Sequence, residues 1–242
     1  MTVLIEAKGL TCGYGKLPVV RDLDLTVSAG EVVCLLGANG AGKTTTLLTI
    51  AGALPRLGGS VLVGGKPAPA AAHVVARRGL ALVPEGRGLF YRLTVAENLR
   101  LRRHRRSRVS VDDVLAHFPV LTGLRGRRAG LLSGGEQQML ALAGALVADP
   151  DVILLDEMSL GLAPIIVERL LPIVRTIADE RGMGVLLVEQ HILAALTVAD
   201  RGYVMAHGSV VAEGTAADLR RDAELLEASY LGDKTAVAEG LV

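Results

Sequence analysis

Tryptophan is absent from this 242-residue chain, phenylalanine and cysteine occur twice each, and 26 Lys plus Arg nearly cancel 25 Asp plus Glu. Each shortage excludes something. With so few aromatics the core must be built from Ala, Val, Leu and Ile, the composition of a parallel α/β protein rather than of an aromatic-rich sandwich. A net charge of +1 gives no global attraction to nucleic acid or anionic lipid. Cys12 and Cys34 lack metal-ligand spacing, and a lone disulfide is foreign to a cytosolic chain, so both read as ordinary small residues. The longest charge-free apolar runs, such as Met139 to Ala148 and Ile192 to Ala199, fall short of the roughly 20 residues that span a bilayer. The N-terminus lacks a basic n-region and places Glu6 where a signal's apolar stretch would continue. The chain is therefore expected neither to cross a membrane nor to be exported. Half of it is hydrophobic, which excludes disorder, and its 29 glycines follow no triplet spacing, which excludes a collagen-like rod. One or two domains fit the length.

What is present alternates. Val3 to Ala7, Val19 to Val27 and Glu31 to Leu36 read as strands, Thr44 to Ala51 as a helix, Ser60 to Val63 as a strand, Ala70 to Arg78 as a helix and Leu80 to Val83 as a buried strand. From Thr94 to Ala148 the pattern is helical throughout, with Ala96 to Arg106, Val111 to Phe118 and Gly134 to Val147 the strongest stretches. Strand and helix then alternate again through Val152 to Leu155, Ile165 to Arg181, Val185 to Val188 and Leu193 to Ala199. Gly202 to Ala206 and Val210 to Glu213 form a strand pair turning at His207-Gly208, with short helices after it. The one strong charge run holds Arg100, Arg102, Arg103, Arg105, Arg106 and Arg108. It reads as a solvated helix face or as a surface for a phosphate-rich partner or membrane headgroups. No aromatic interleaves these arginines to stack on bases, and no nucleic-acid partner is expected.

Gly37-Ala38-Asn39-Gly40-Ala41-Gly42-Lys43-Thr44 lies between an apolar strand and a helix, the context in which this glycine and lysine spacing cradles phosphate. The glycines let successive N–H groups face phosphate oxygens, and the helix dipole favours their charge. Lys43 is expected to reach the β- and γ-phosphates, Thr44 to offer its hydroxyl to Mg²⁺, and Thr45 to donate to an inner phosphate. Val152 to Leu155 is an apolar strand delivering Asp156 and Glu157 at its C-terminal end. Asp156 is expected in the magnesium shell, and Glu157, on the opposite side of the pleat, is placed to orient and deprotonate a water. Ser133-Gly134-Gly135-Glu136 opens a helix with a good N-cap, and its free N–H groups could form a second phosphate cradle. Two cradles in one chain suggest that each serves a different nucleotide across a dimer.

Phosphate loop, Leu-Ser-Gly-Gly-Glu-Gln turn about 90 residues later and Leu-Leu-Asp-Glu strand, in this order, resemble the ATP-binding subunit of ABC transporters. A narrower resemblance, to the ATPase subunits of branched-chain amino acid importers, is carried by Val83 to Arg87, Leu93 to Leu99, Ser159 to Val167 and Val188-Glu189-Gln190. Those segments are also similar to urea and amide importers. The resemblance implies a P-loop α/β core with a parallel sheet, an N-terminal antiparallel β subdomain and a helical subdomain, about 87–149, inserted between 1–86 and 150–242. It implies ATP and Mg²⁺ as ligands, transmembrane permease subunits and a second ATPase subunit as partners, an external solute-binding protein indirectly, and a place on the inner face of the cell membrane. Two ATP molecules would lie between two subunits, each touched by one phosphate loop and the other subunit's Ser133 turn, with Tyr14 stacked on adenine.

Several positions depart from the wider family. Glu85 stands where a glutamine senses the γ-phosphate and contacts the transmembrane subunit. Gln190 stands at the switch histidine, with His191 one residue later, so either could serve. Gly161 replaces an aspartate, Met158 a proline, and Gly144 an arginine of the signature helix. Lys43, Asp156 and Glu157 are intact, and turnover that is reduced or partner-dependent is expected. The same motifs serve exporters. DNA-associated ATPase clamps carry long coiled-coil arms that this chain has no room for, and ribosome-type members usually carry two ATPase halves.

Overall fold

The computed structural model describes residues 2–104 and 107–221. Strands β1 (Val3–Tyr14) and β2 (Leu17–Ser28) form an antiparallel hairpin, and period-two alternation buries Ile5, Ala7, Leu10 and Cys12 on one side of β1. The strand β3 (Val32–Gly37) and helix α1 (Lys43–Ile50) follow, then β4 (Arg56–Val63) and β5 (Lys66–Pro67). Strands β4 and β5 complete a four-stranded antiparallel sheet ordered β2-β1-β4-β5.

After α2 (Ala72–Ala76) and β6 (Leu80–Val83), the chain is helical: α3 (Val95–Arg102), α4 (Val111–Ala116), α5 (Pro119–Thr122), a 3-10 turn at Ala129–Leu131, and α6 (Gly134–Leu146). Capping boxes open three of these helices, pairing Thr94 with Glu97, Ser110 with Asp113 and Ser133 with Glu136. The remaining elements are β7 (Val152–Asp156), α7 (Pro164–Arg181), β8 (Gly184–Glu189), α8 (Ile192–Ala195), β9 (Arg201–Ala206), β10 (Ser209–Thr215) and α9 (Ala216–Arg221). A second sheet runs β10-β9-β3-β8-β7-β6, parallel except for the terminal β10. Strands that are buried on both faces need no polar alternation. Val32, Cys34 and Leu36 thus face one core with the helical region, while Val33 and Leu35 face a second core with the antiparallel sheet and α1. Among the described residues no helix is long and apolar enough to cross a membrane.

Several element bounds differ from the sequence reading: β4 starts at Arg56 rather than Ser60, and α2 is confined to Ala72–Ala76 rather than Ala70 to Arg78. Glycine at position 9 suggests an end to the first strand near Ala7, whereas β1 continues to Tyr14 with register shifts against β2 after Ala7 and Leu10. Gly9 adopts φ +55° there, so the glycine shifts the ladder instead of ending it. Helix α8 stops at Ala195 rather than Ala199. The Thr197 hydroxyl donates to the Ala194 carbonyl at 2.6 Å, competing with helical continuation.

Cys12 and Cys34 are free thiols at 0% exposure, and burial pushes both pKa values up. Of the arginine run, Arg100, Arg103 and Arg108 are exposed as a solvated face requires. The sequence reading runs the third helix on to Arg106, whereas α3 ends at Arg102 and the backbone of Arg103 is extended; Arg105 and Arg106 lie outside the described residues. Arg102 departs from that face: it is half-buried, and its guanidinium donates to the Gly88 carbonyl.

Candidate functional site

The C-terminal ends of the parallel strands converge on one side of the larger sheet, where open α/β sheets bind ligands. There β3 runs into the loop 37–42 and then α1. The loop needs glycine for two reasons. A Cβ on Gly37, whose φ is +156°, would lie 2.4 Å from the Met205 carbonyl oxygen, and one on Gly42, at φ +105°, would lie 2.5 Å from Val20 Cγ2. Gly42 is the N-terminal cap residue of α1 without a side-chain cap, so the first N–H groups of the helix remain available to an anion.

Lys43 is 3% exposed, and its Nζ donates to the Gly37 carbonyl at 2.9 Å and the Ala38 carbonyl at 3.0 Å. It also pairs with Glu157 Oε1 at 3.3 Å. On α1 the Thr46 hydroxyl donates to the Gly42 carbonyl at 3.0 Å, and Thr49 to the Thr45 carbonyl at 2.8 Å, internal bonds that keep both away from ligands. Thr44 instead donates to Asp156 Oδ1 at 3.0 Å. Asp156 ends β7 and is buried. That burial pushes its carboxyl up to about 6, with Glu157 and Glu85 adding to the shift, and the Thr44 hydroxyl and Lys43 opposing it.

Glu157 lies one residue beyond the strand with φ +45°. Pleat alternation no longer governs it. Instead of pointing to the opposite face from Asp156, it joins the same cluster, meeting Lys43 on one oxygen and accepting from the Gln190 amide at 2.7 Å on the other. A cleft of about 390 Å³ gathers Tyr14, Asn39, Gly40, Gly42, Lys43, Thr44, Thr45, Glu85, Glu157 and Gln190, with Val19 and Leu160. Tyr14 is 54% exposed at its rim, at the end of β1. The expected residues Gly37, Ala38 and Ala41 belong to the loop without lining the cleft, and Asp156 lies buried behind it against Thr44. His191, which follows Gln190, lines a different hollow with Ser159, Leu162 and residues of α7 and α8. Ser133, Gly134, Gly135 and Glu136 open α6 outside the cleft, and Ser133 is exposed.

The cluster fits magnesium and phosphate. Three carboxylates face one lysine, an excess of negative charge that a divalent cation answers, and a hydroxyl with a carboxylate is the hard-oxygen donor set Mg²⁺ takes alongside phosphate oxygens and waters. Among the described residues no group of three or more His, Cys, Asp or Glu forms a self-sufficient metal cage.

Three contacts could not be read from the sequence. Val19, on β2, lines the cleft beside the loop residues. Glu189, 2% exposed, accepts from the Ser159 N–H at 3.0 Å and the Ser159 hydroxyl at 2.5 Å, tying the ends of β7 and β8 together. Arg87, in a left-handed conformation at φ +62°, donates to the side chains of Gln137 at 2.7 Å and Gln138 at 3.2 Å in the first turns of α6. The partners of the last two contacts stand far apart in sequence, beyond the reach of any local pattern.

A family model described as ABC transporter matches residues 20–159. The high-affinity branched-chain amino acid transport ATP-binding protein BraG of Pseudomonas aeruginosa is 43% identical, over 90% of this chain and 95% of its own. The lipopolysaccharide export system ATP-binding protein LptB of Escherichia coli is 35% identical, over 95% of this chain and 97% of its own. A solved structure of the ATP-binding subunit of an ABC transporter superposes with a TM-score of 0.79 at 30% identity, covering 95% of this chain and 96% of that one. A phosphate loop that meets an acidic strand end at the mouth of a mixed sheet, and relatives matched from end to end, place this chain in the ABC transporter family as one of its ATPase subunits.

Proposed function

We propose that this ATPase powers the uptake of branched-chain or other hydrophobic amino acids, at the inner face of the membrane, against permease subunits and a second ATPase subunit. The observation that carries the reading is the 43% identity to BraG over 90% of the chain. The segments Val83 to Arg87 and Ser159 to Val167 agree with it. Residues 87–149 would form the helical subdomain that meets the permease, with Phe90 and Tyr91, 54% and 49% exposed, on its surface.

In this reading the loop N–H groups and Lys43 bind the β- and γ-phosphates, Tyr14 stacks on adenine, and Thr44 and Asp156 hold magnesium. When bound, magnesium supplies charge neutralisation at the transferring phosphate. Glu157 holds the attacking water and takes its proton, while the Gln190 amide and Lys43 fix the carboxylate. The exposed Ser133 turn, outside its own cleft, suits it to close the nucleotide site of a second subunit. Positioning and charge stabilisation make up most of the catalysis in such a site.

The test is uptake by the complex isolated with this chain from its native membrane and reconstituted in vesicles. Leucine, isoleucine or valine is expected to enter with ATP hydrolysis. Response to lipopolysaccharide alone would favour the exporter reading suggested by LptB, and response to urea or short amides alone would favour the other importer class; either would overturn this proposal.

The switch position is tested in the same vesicles. Gln190→Ala frees one oxygen of Glu157, whereas His191→Ala removes a side chain that lies outside the cleft. Turnover is expected to fall about tenfold or more in the first, the size typical of a lost catalytic contact, and less than about threefold in the second. The opposite ranking would give the role to His191.

A further inference from the structure

Arg102 and Gly144 meet where α3 crosses α6. A Cβ built on Gly144 would fall 2.6 Å from Arg102 Cδ, 3.2 Å from Nε and 3.4 Å from Nη1, so the nearest atoms on every count belong to that one arginine. Gly144 lies in the interior of α6, is buried, and has no positive φ that would call for glycine. Backbone conformation therefore gives no reason for glycine there, and helix propensity argues against it. The reason is steric: the Arg102 stem passes over the bare backbone of α6. Its guanidinium then donates to the carbonyl of Gly88, which sits at φ +60° and whose own Cβ would lie 3.2 Å from Arg102 Nη2.

The loop held in this way is the one that matters to the cleft. It carries Glu85, which lines the cleft, and Arg87, which grips Gln137 and Gln138 on α6. Two arginines thus tie the loop to the helical region, Arg102 of α3 at Gly88 and Arg87 of the loop itself at Gln137 and Gln138 of α6. Among the described residues burial alone shifts Arg102, downward, and the bond to Gly88 is the polar contact that offsets placing a guanidinium there.

We propose that Arg102 is a positioning residue that locks the 84–88 loop onto the signature helix, and that Gly144 is glycine because this side chain must pass. A side chain at 144 would make Arg102 leave its present path. The proposal rests on the cleft being the nucleotide site, and its consequence is that Glu85 and the Ser133 turn keep a fixed relation as ATP binds.

The experiment measures ATP hydrolysis and hydrogen exchange in the full chain carrying R102A, G144A, R102A/G144A or the exchange R102G/G144R. R102A is expected to lower kcat about fivefold or more with KM for ATP within about twofold, since Lys43, Thr44 and Tyr14 are untouched. G144A, favourable by propensity, is expected to lower kcat comparably by displacing Arg102, and R102A/G144A to be no worse than R102A, the non-additivity of a direct contact. A Cβ at 144 would lie 2.6 Å from Arg102 Cδ, inside the space this side chain now fills, so an arginine rooted there has room once Arg102 is cut back, and R102G/G144R is expected to regain at least half the native kcat. Amides of residues 86–88 are expected to exchange faster in R102A and G144A, and at the native rate in the exchange variant. Full activity in G144A, or no recovery in a folded R102G/G144R, would overturn the proposal. Should the native chain fail to bind ATP, the cleft assignment falls, while the exchange rates at 86–88 still decide whether Arg102 positions the loop.

Discussion

Lys43→Ala is expected to abolish tight Mg-ATP binding, with a loss of about 30-fold or more in affinity, ~2 kcal/mol, read by calorimetry. The ammonium is buried and held by two loop carbonyls and Glu157, ready to turn toward phosphate oxygens when they arrive. Charge-assisted bonds to phosphate are among the stronger polar contacts, and the substitution removes both the charge and its donors. It also leaves Glu157 facing the phosphates uncompensated, which adds repulsion to the lost attraction. Lys43→Met, keeping most of the stem volume, separates this from a packing defect and is expected to lose as much. Affinity retained within about threefold, under ~0.7 kcal/mol, would remove Lys43 from the role assigned to it.

Glu157→Gln is expected to separate binding from turnover. The amide keeps the shape and can still accept from Gln190, yet it cannot take a proton from water, and hydrolysis is expected to slow by roughly 10² or more, the range for loss of a general base. ATP affinity is expected to hold or rise, because a negative charge beside the phosphates is gone. An ATP-held pair of subunits should then accumulate and elute early from a sizing column. A variant hydrolysing ATP at more than a tenth of the native rate would take the base role from Glu157. A strictly monomeric elution with ATP, with a partner ATPase supplied, would count against two subunits sharing the nucleotide.

Much of this site could be read from contiguous residues. The phosphate loop places Lys43 and Thr44 at a helix start because strand, loop and helix succeed one another directly, and the apolar run 152–155 announces a strand whose end carries Asp156 to Thr44. The reading failed where its rule stopped applying. Alternation puts Glu157 on the opposite side, but the strand ends one residue earlier and its left-handed backbone turns it inward. Glycine at position 9 has two meanings, an end or a bulge, and only pairing with β2 chooses between them. The contacts of Arg87 with α6 and of Arg102 with Gly144 join residues about 50 and 42 positions apart. Local periodicity carries no trace of them, although an unexpected glycine inside a helix was a visible mark of the second.

The two buried cysteines have a practical consequence. Cys12 and Cys34 are the chain's only thiols, both sealed in the core and held in the unreactive protonated form. A cysteine introduced at an exposed position such as Leu160 or Ser133 would therefore be the one site open to a maleimide dye or spin label under native conditions. Labels at those two places, one on the cleft and one on the signature turn, would report the approach of two subunits as a distance in the otherwise native sequence, with no cysteine to remove first.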